Sequence, residues 1–288
     1  MKQIFDWKPV SLAIVVPAWN AERTIERCLI AAQRQNCFLI VIDDYSTDGT
    51  NKIAAKYADL VINNSERKGK AQSLNELANW LQHEYMLVVD ADTYLQRRFV
   101  EYLETALRVL KADCGSGRPH FIGTTKFSQI VAEMYNALND GSEWRYNGCC
   151  QFFKTEFLRV HPLSTSTLIE DEELHWRLIK QAKQEQQSKP KQKGDVSAVK
   201  AIVVDVFAHT ETPHSPSEVY RQSLRWTRGA MQLVKEGLMP KRLGPIPIYS
   251  IISITSITLI LPIGFSFGAF MGSLPLLAPL ALLCSRVV

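Results

Sequence analysis

The sequence predicts an α/β protein: a doubly wound, mostly parallel sheet with helices on both faces, followed by a C-terminal transmembrane helical hairpin. Three observations carry this. Short apolar, β-branched runs at 11–16, 38–42, 60–63 and 86–89 alternate with stretches of helical spacing, the rhythm of βαβ units. Most of these runs end in polar or acidic residues, which gathers them at the carboxyl edge of the sheet, where ligands bind. From 243 to 285 there is no Asp, Glu, Lys or Arg. A helix needs about 20 apolar residues to cross a bilayer, so that block can hold two short spans.

The run 11–16 is read as a buried strand leaving the sheet at Pro17 into the loop Ala18-Trp19-Asn20. Residues 22–35 put Ile25, Cys28, Leu29 and Ala32 on one helical face. The strand at 38–42 runs into Asp43, Asp44 and Tyr45-Ser46-Thr47-Asp48, with Asp48 able to cap a helix from about Thr50 to Tyr57. A strand at 60–63 and a helix carrying Leu74, Leu77, Ala78 and Leu81 lead to the central strand, 86–89. Asp90 and Asp92 follow it directly. Side chains two apart point the same way in an extended chain. Like charges so placed repel and lose hydration unless a cation lies between them. A hard divalent ion, Mg²⁺ or Mn²⁺, takes such ligands and keeps positions open for substrate phosphates. A solvated turn would explain Asp-x-Asp by itself; the neighbouring loops favour the metal. No Gly-x-Gly-x-x-Gly or Gly-x-x-x-x-Gly-Lys-Ser/Thr loop occurs, which argues against a dinucleotide dehydrogenase and a P-loop phosphotransferase.

In the second half, 99–110 reads as an amphipathic helix and 122–125 as a strand, while 134–143 has no clear pattern. A helix opens near Glu170, and its acidic first turn suits the helix dipole. The sharper reading of Asp171 is a general base. Residues 180–200 read as a polar surface insert, 201–207 as a strand and His209 as a loop residue. A helix then starts after Ser217 as cap. On it Gln222, Arg225 and Trp226 stand at i, i+3 and i+4 and share a face. That face can hold a diphosphate and stack a ring. The same helix would also suit a membrane surface, with Arg221, Arg225 and Arg228 towards headgroups.

At 288 residues the chain can build a sizeable core, and its net charge of +4 suits an anionic small molecule or acidic membrane without calling for nucleic acid. The six cysteines form no Cys-x-x-Cys pair, so neither a zinc site nor a secreted disulfide scaffold is expected. Residues 1–9 are charged throughout, and no signal peptide is expected. Lys241, Arg242 and Arg286 bracket the apolar block, which places both ends of the hairpin and the preceding domain in the cytoplasm. The block is expected to be part of a longer membrane region.

Val15-Val16-Pro17-Ala18-Trp19-Asn20, Ile42 through Thr50, and Val89-Asp90-Ala91-Asp92 resemble the family-two glycosyltransferases of GT-A fold. Lys68-Gly69-Lys70 followed by Leu74-Asn75 is similar to a further element of that family, and Glu170-Asp171 to its Thr-Glu-Asp, with Ile169 in place of the Thr. Gln222-x-x-Arg225-Trp226 resembles the motif of membrane polysaccharide synthases of the cellulose, chitin, hyaluronan and poly-N-acetylglucosamine type. The resemblance implies an inverting, metal-dependent transfer of a sugar from a UDP-linked donor to an acceptor hydroxyl. It implies that Pro17 and Asn20 belong to the nucleotide site, and that Asp43 and Asp44 bind base and ribose. It further implies that Lys70 lies near the nucleotide, Asp90 and Asp92 bind the diphosphate through a divalent metal, Gly148 underlies the sugar, and Asp171 is the base. Residues 1–240 are then the catalytic domain, ending in an interfacial helix at 217–236, and 245–285 the membrane segment. The acceptor is a glycan or a lipid-linked sugar, and a partner subunit could complete a channel. A single-sugar transferase and a non-catalytic sugar-nucleotide-binding module are the alternatives; a sugar-nucleotide pyrophosphorylase would need a Gly-rich signature that 17–20 lacks.

Overall fold

The computed structural model describes residues 10–139, 148–188 and 199–239. Its elements are β1 (Leu12–Ala18), α1 (Ile25–Gln33), β2 (Phe38–Asp43), α2 (Thr50–Tyr57), β3 (Leu60–Asn63), α3 (Lys70–Trp80), β4 (Tyr85–Val89) and β5 (Thr93–Leu95). There follow α4 (Phe99–Leu110), β6 (Cys114–Ile122), α5 (Lys126–Asn139), β7 (Cys150–Lys154), α6 (Thr155–Val160), α7 (Glu170–Ser188), β8 (Ala201–Glu211) and α8 (Pro216–Lys235).

One sheet holds the strands in the order β3-β2-β1-β4-β7-β6-β8-β5. Its first half is parallel, with β1 between β2 and β4 and β3 outside β2. Strands β1, β2 and β4 are apolar and buried nearly end to end, as covering on both faces requires, while the edge strand β3 is only partly covered. The second half is antiparallel: β7 pairs with β4 and β6, and β5 with β8. The sheet is therefore mixed, not mostly parallel as the sequence suggested. Ile25, Cys28, Leu29 and Ala32 of α1 pack with Ile14, Val16, Leu87 and Val89 in one core cluster. Leu74, Leu77, Ala78 and Leu81 are buried as their spacing predicted.

Four expectations need correction, and one open stretch is filled. The strand placed at 122–125 lies at β6, which carries Gly115, Gly117 and Pro119 and so hides its β character. A Cβ on Gly115 would stand 2.0 Å from the Ile202 carbonyl oxygen, so close approach of β8 demands glycine there. The unassigned 134–143 stretch is helical as far as Asn139. The polar insert begins later, because α7 continues to Ser188. His209 sits within β8, paired with Tyr94 of β5, and not in a loop. Helix α8 is capped by Ser215, whose side chain accepts from the Glu218 amide while Pro216 takes the first turn.

Among the described residues the chain divides into two compact units. One takes the chain up to His120, the stretch ending at Thr165 and Gln181–Thr210; the other takes the segments beginning at Phe121, Ser166 and Glu211. No helix among the described residues is long and apolar enough to cross a membrane. The spans expected at 245–285 lie outside the described residues.

Candidate functional site

In the first unit the loops after β1 and β2 are sewn together. Pro17 and Ala18 stand in register with Ile42 and Asp43. The Asp44 amide donates to the Ala18 carbonyl at 2.8 Å. Asn20 takes a left-handed backbone, φ 48°, which Asn tolerates better than most residues. Its amide donates to Ser46 Oγ at 2.9 Å, and its Oδ1 accepts from the Thr47 amide at 2.8 Å. Buried Asp43 accepts from the Ser46 amide at 3.1 Å.

Asp44 is buried too, and its partners lie further along the chain. Its Oδ1 accepts from Asn64 Nδ2 and the Lys68 amide, its Oδ2 from the Gly69 amide, each at 2.8 Å. An ionised carboxylate offers about four lone-pair sites. Three being used, Oδ2 keeps room for one more donor. Asn64 is itself held by Ser73, to whose Oγ it donates at 2.8 Å. Asp44 thus fixes the Lys68-Gly69-Lys70 turn, where Gly69 has φ 86° and α3 begins. The turn also brings Arg67 over the ring of Trp19, 3.4 Å from its centroid. Sequence reasoning missed this pair. Its only signal is position: an aromatic beside Asn20 and a cation just before Lys68-Gly69.

At the end of β4, Lys70 Nζ lies 2.6 Å from Asp90 Oδ1 and 2.9 Å from the Gly148 carbonyl oxygen. The Asp90 amide donates to the Cys149 carbonyl at 3.0 Å, and the Thr93 amide to the Asp90 carbonyl at 2.9 Å. This turn sets Asp92 beside Asp90, accepting from the Thr93 hydroxyl at 3.2 Å. Burial pushes the Asp92 carboxyl up to about 6, and the Asp90 charge adds to it. Among the described residues no group of three or more His, Cys, Asp or Glu is gathered for a metal. Two carboxylates with the remaining positions left to phosphates and water are, however, the donor set of a Mg²⁺-type site. The residues fit a divalent cation.

The second unit holds the remaining sequence-predicted residues. Asp171 lies in the first turn of α7 with Glu170, Glu172 and Glu173. Glu173 is buried and paired with Arg177 at 3.0 Å. Ile169, the departure from Thr-Glu-Asp, is buried against Ala230 and Leu233 of α8, so its apolar side chain has a packing role. On α8, Gln222 Oε1 accepts from the Tyr135 hydroxyl at 3.2 Å, and the Trp226 ring lies 5.9 Å from that of Tyr135. Trp226 also packs against the clusters around Val131 and Ile169. These contacts fasten α8 to its neighbours. Arg225 points outward with Arg221 and Arg228.

A family model, glycosyl transferase family 2, matches residues 13–162. The chain is 26% identical over 241 residues to the uncharacterized glycosyltransferase YaiP of Escherichia coli (strain K12), covering 75% of this chain and 55% of that protein. It is 28% identical over 95 residues to the putative teichuronic acid biosynthesis glycosyltransferase TuaG of Bacillus subtilis (strain 168), covering 30% of this chain and 37% of the other. The chain thus spans about half the length of the E. coli relative. Among solved structures it resembles the mannosyltransferase PcManGT from Pyrobaculum calidifontis in complex with GDP-Man and Mn²⁺, with a TM-score of 0.58, 19% identity and coverage of 96% of this chain and 81% of that one. Glucosyl-3-phosphoglycerate synthase from Mycobacterium tuberculosis, in complex with Mn²⁺, UDP and phosphoglyceric acid, gives 0.56 at 16% identity, covering 80% of each chain. Those two likenesses speak for a GT-A-like fold. The motifs at the sheet edge, the sheet that carries them and the family match agree: the chain belongs to glycosyl transferase family 2.

Proposed function

We propose that this chain transfers a sugar, with inversion, from a nucleotide diphosphate sugar, UDP-linked, to a hydroxyl of a glycan or lipid-linked acceptor at the membrane. The observation that carries it is the Lys70-Asp90-Gly148 cluster with Asp92 beside it, at the carboxyl end of β4 in a family-two domain. The similar structures add support, being complexes with GDP-Man or UDP and Mn²⁺. The basic, exposed row Arg221, Arg225 and Arg228 on α8, ahead of the uncharged block at 243–285, supports the membrane setting.

Trp19 and Arg67 offer flat faces for a nucleobase, and the remaining lone pair of Asp44 can accept from a base or ribose donor. The motif match assigns Asp171 the proton of the acceptor hydroxyl. As that oxygen bonds to the anomeric carbon, the bond from that carbon to the diphosphate oxygen breaks. Lys70 offsets charge growing on the leaving diphosphate. A divalent ion held by Asp90 and Asp92 would, when bound, supply further charge neutralisation there.

Incubating the full chain with Mn²⁺ and a panel of UDP-sugars and GDP-mannose, then measuring nucleotide release and sizing the product, tests the reading. Release with one donor, lost in Asp92→Asn, is expected. Tight nucleotide binding without release for any donor would favour the non-catalytic binding module.

A further inference from the structure

We propose that Lys70 is a cation placeholder: without nucleotide its ammonium occupies Asp90, and a divalent ion binds well only once a diphosphate has drawn Lys70 away. The inference rests on the reading above, that Asp90 and Asp92 hold the metal.

The geometry is specific. Lys70 Nζ is 2.6 Å from Asp90 Oδ1 and 2.9 Å from the Gly148 carbonyl oxygen, so it sits between the two as a small cation would. The Lys70 and Asp90 side chains keep 22% and 35% of their exposure. They are shielded enough for the attraction to matter and open enough for exchange. Two cations on one carboxylate oxygen repel, so Lys70 and a metal compete there.

What makes Lys70 a switch is the difference between its root and its tip. Its backbone is fixed, because the Lys68 and Gly69 amides are both held by Asp44 and α3 starts at Lys70. Its stem is four flexible carbons ending in a point charge with three donors, a length and chemistry that let it exchange Asp90 for a phosphate. A diphosphate supplies acceptor oxygens and negative charge to replace what Lys70 gives up at Asp90. The exchange then leaves each charge paired: ammonium with phosphate, metal with both carboxylates and phosphate. Nucleotide and metal must therefore raise each other's affinity by the same factor, as linkage requires. Lys68 has no such part; its Nζ pairs with Glu76 at 2.6 Å.

Mn²⁺ binding, followed by the electron paramagnetic resonance of the free ion, tests this without turnover. The proteins are wild type, Lys70→Met, Lys70→Gln, Lys68→Met and Asp92→Asn, each checked as folded by circular dichroism and titrated with and without UDP. Removing a charge-assisted competitor is worth about tenfold or more in affinity. Both Lys70 variants should thus bind Mn²⁺ at least about tenfold more tightly than wild type when UDP is absent, and gain less from UDP. Lys68→Met should behave as wild type, and Asp92→Asn should bind poorly throughout. If wild type takes up Mn²⁺ with UDP but the Lys70 variants bind it no more tightly without UDP, the placeholder is wrong and the metal site stands. If no protein binds Mn²⁺ even with UDP, the metal reading and this inference fall together.

Discussion

A Cβ on Gly229 would stand 2.7 Å from Cγ1 of Ile169 and 2.9 Å from its Cγ2. Those atoms are the root of a buried, branched side chain, not a flexible tip. Helix α8 therefore rests on the residue that opens α7 at the point where it lacks a side chain. Gly229→Ala gains helix propensity of about 1 kcal/mol but forces overpacking that costs about 1–3 kcal/mol. A net loss of roughly 1 kcal/mol is expected in urea unfolding. In Ile169→Ala the space is free, so there Gly229→Ala should be neutral or stabilising. Equal effects in both backgrounds would show that the contact does not limit α8.

How legible the fold was depended on how local its causes are. Runs such as Ile14–Val16 and Met86–Val89 announce themselves because burial on both faces leaves only apolar residues. The helix face Ile25, Cys28, Leu29 and Ala32 was equally plain. Strand β6 was not, since Gly115 and Gly117 are there for the chains beside them. The Asp90 and Asp92 pair was visible as a motif, but Asp44 as a loop anchor was not, because its partners begin 20 residues away. The Tyr135 and Gln222 bond joins residues 87 apart, and no spacing rule reaches that far. Ile169 looked like a lapse from Thr-Glu-Asp; its contacts with α8 explain the substitution.

Asp44→Ala removes the acceptor of the Asn64 amide group and of the Lys68 and Gly69 amides. Charge-assisted bonds contribute about 1.5–3 kcal/mol each, and water will re-solvate part of the exposed turn. A loss of about 2–4 kcal/mol is expected in urea unfolding, with UDP affinity in calorimetry reduced at least about tenfold because the Lys70 turn loosens. Unchanged stability would mean that the turn holds itself without Asp44.

His209 lies beside His120, with ring nitrogens 3.2 Å apart, and Tyr94 stacks on its other side. Burial lowers the His209 pKa from 6.5, and the His120 charge lowers it further. The folded protein therefore binds fewer protons than the unfolded chain below pH 6.5. The His209 contribution to stability should be full above that pH and fall as acid is added through it, while the raised Asp92 carboxyl acts in the opposite direction near pH 6. Thermal melts from pH 8 to pH 5 should show a decline that flattens in His209→Phe, whose ring keeps the stacking surface without the proton. An identical pH profile in that variant would acquit this pair.

Asp171 shares the first turn of α7 with three glutamates, and all four suit the positive end of the helix. Charge at a helix terminus is therefore no argument for catalysis. Proton acceptance is a separate property, and Asn removes it while keeping shape and hydrogen bonding. Asp171→Asn should leave UDP affinity within about twofold, since base and diphosphate are assigned to other residues, and should cut donor turnover by roughly 10²-fold or more. Glu172, next to Asp171 in the same turn, is the comparison. Glu172→Gln should change turnover by no more than about threefold, in line with a terminus charge contributing well under 1 kcal/mol. Full turnover in Asp171→Asn together with a dead Glu172→Gln would move the base one position along the helix.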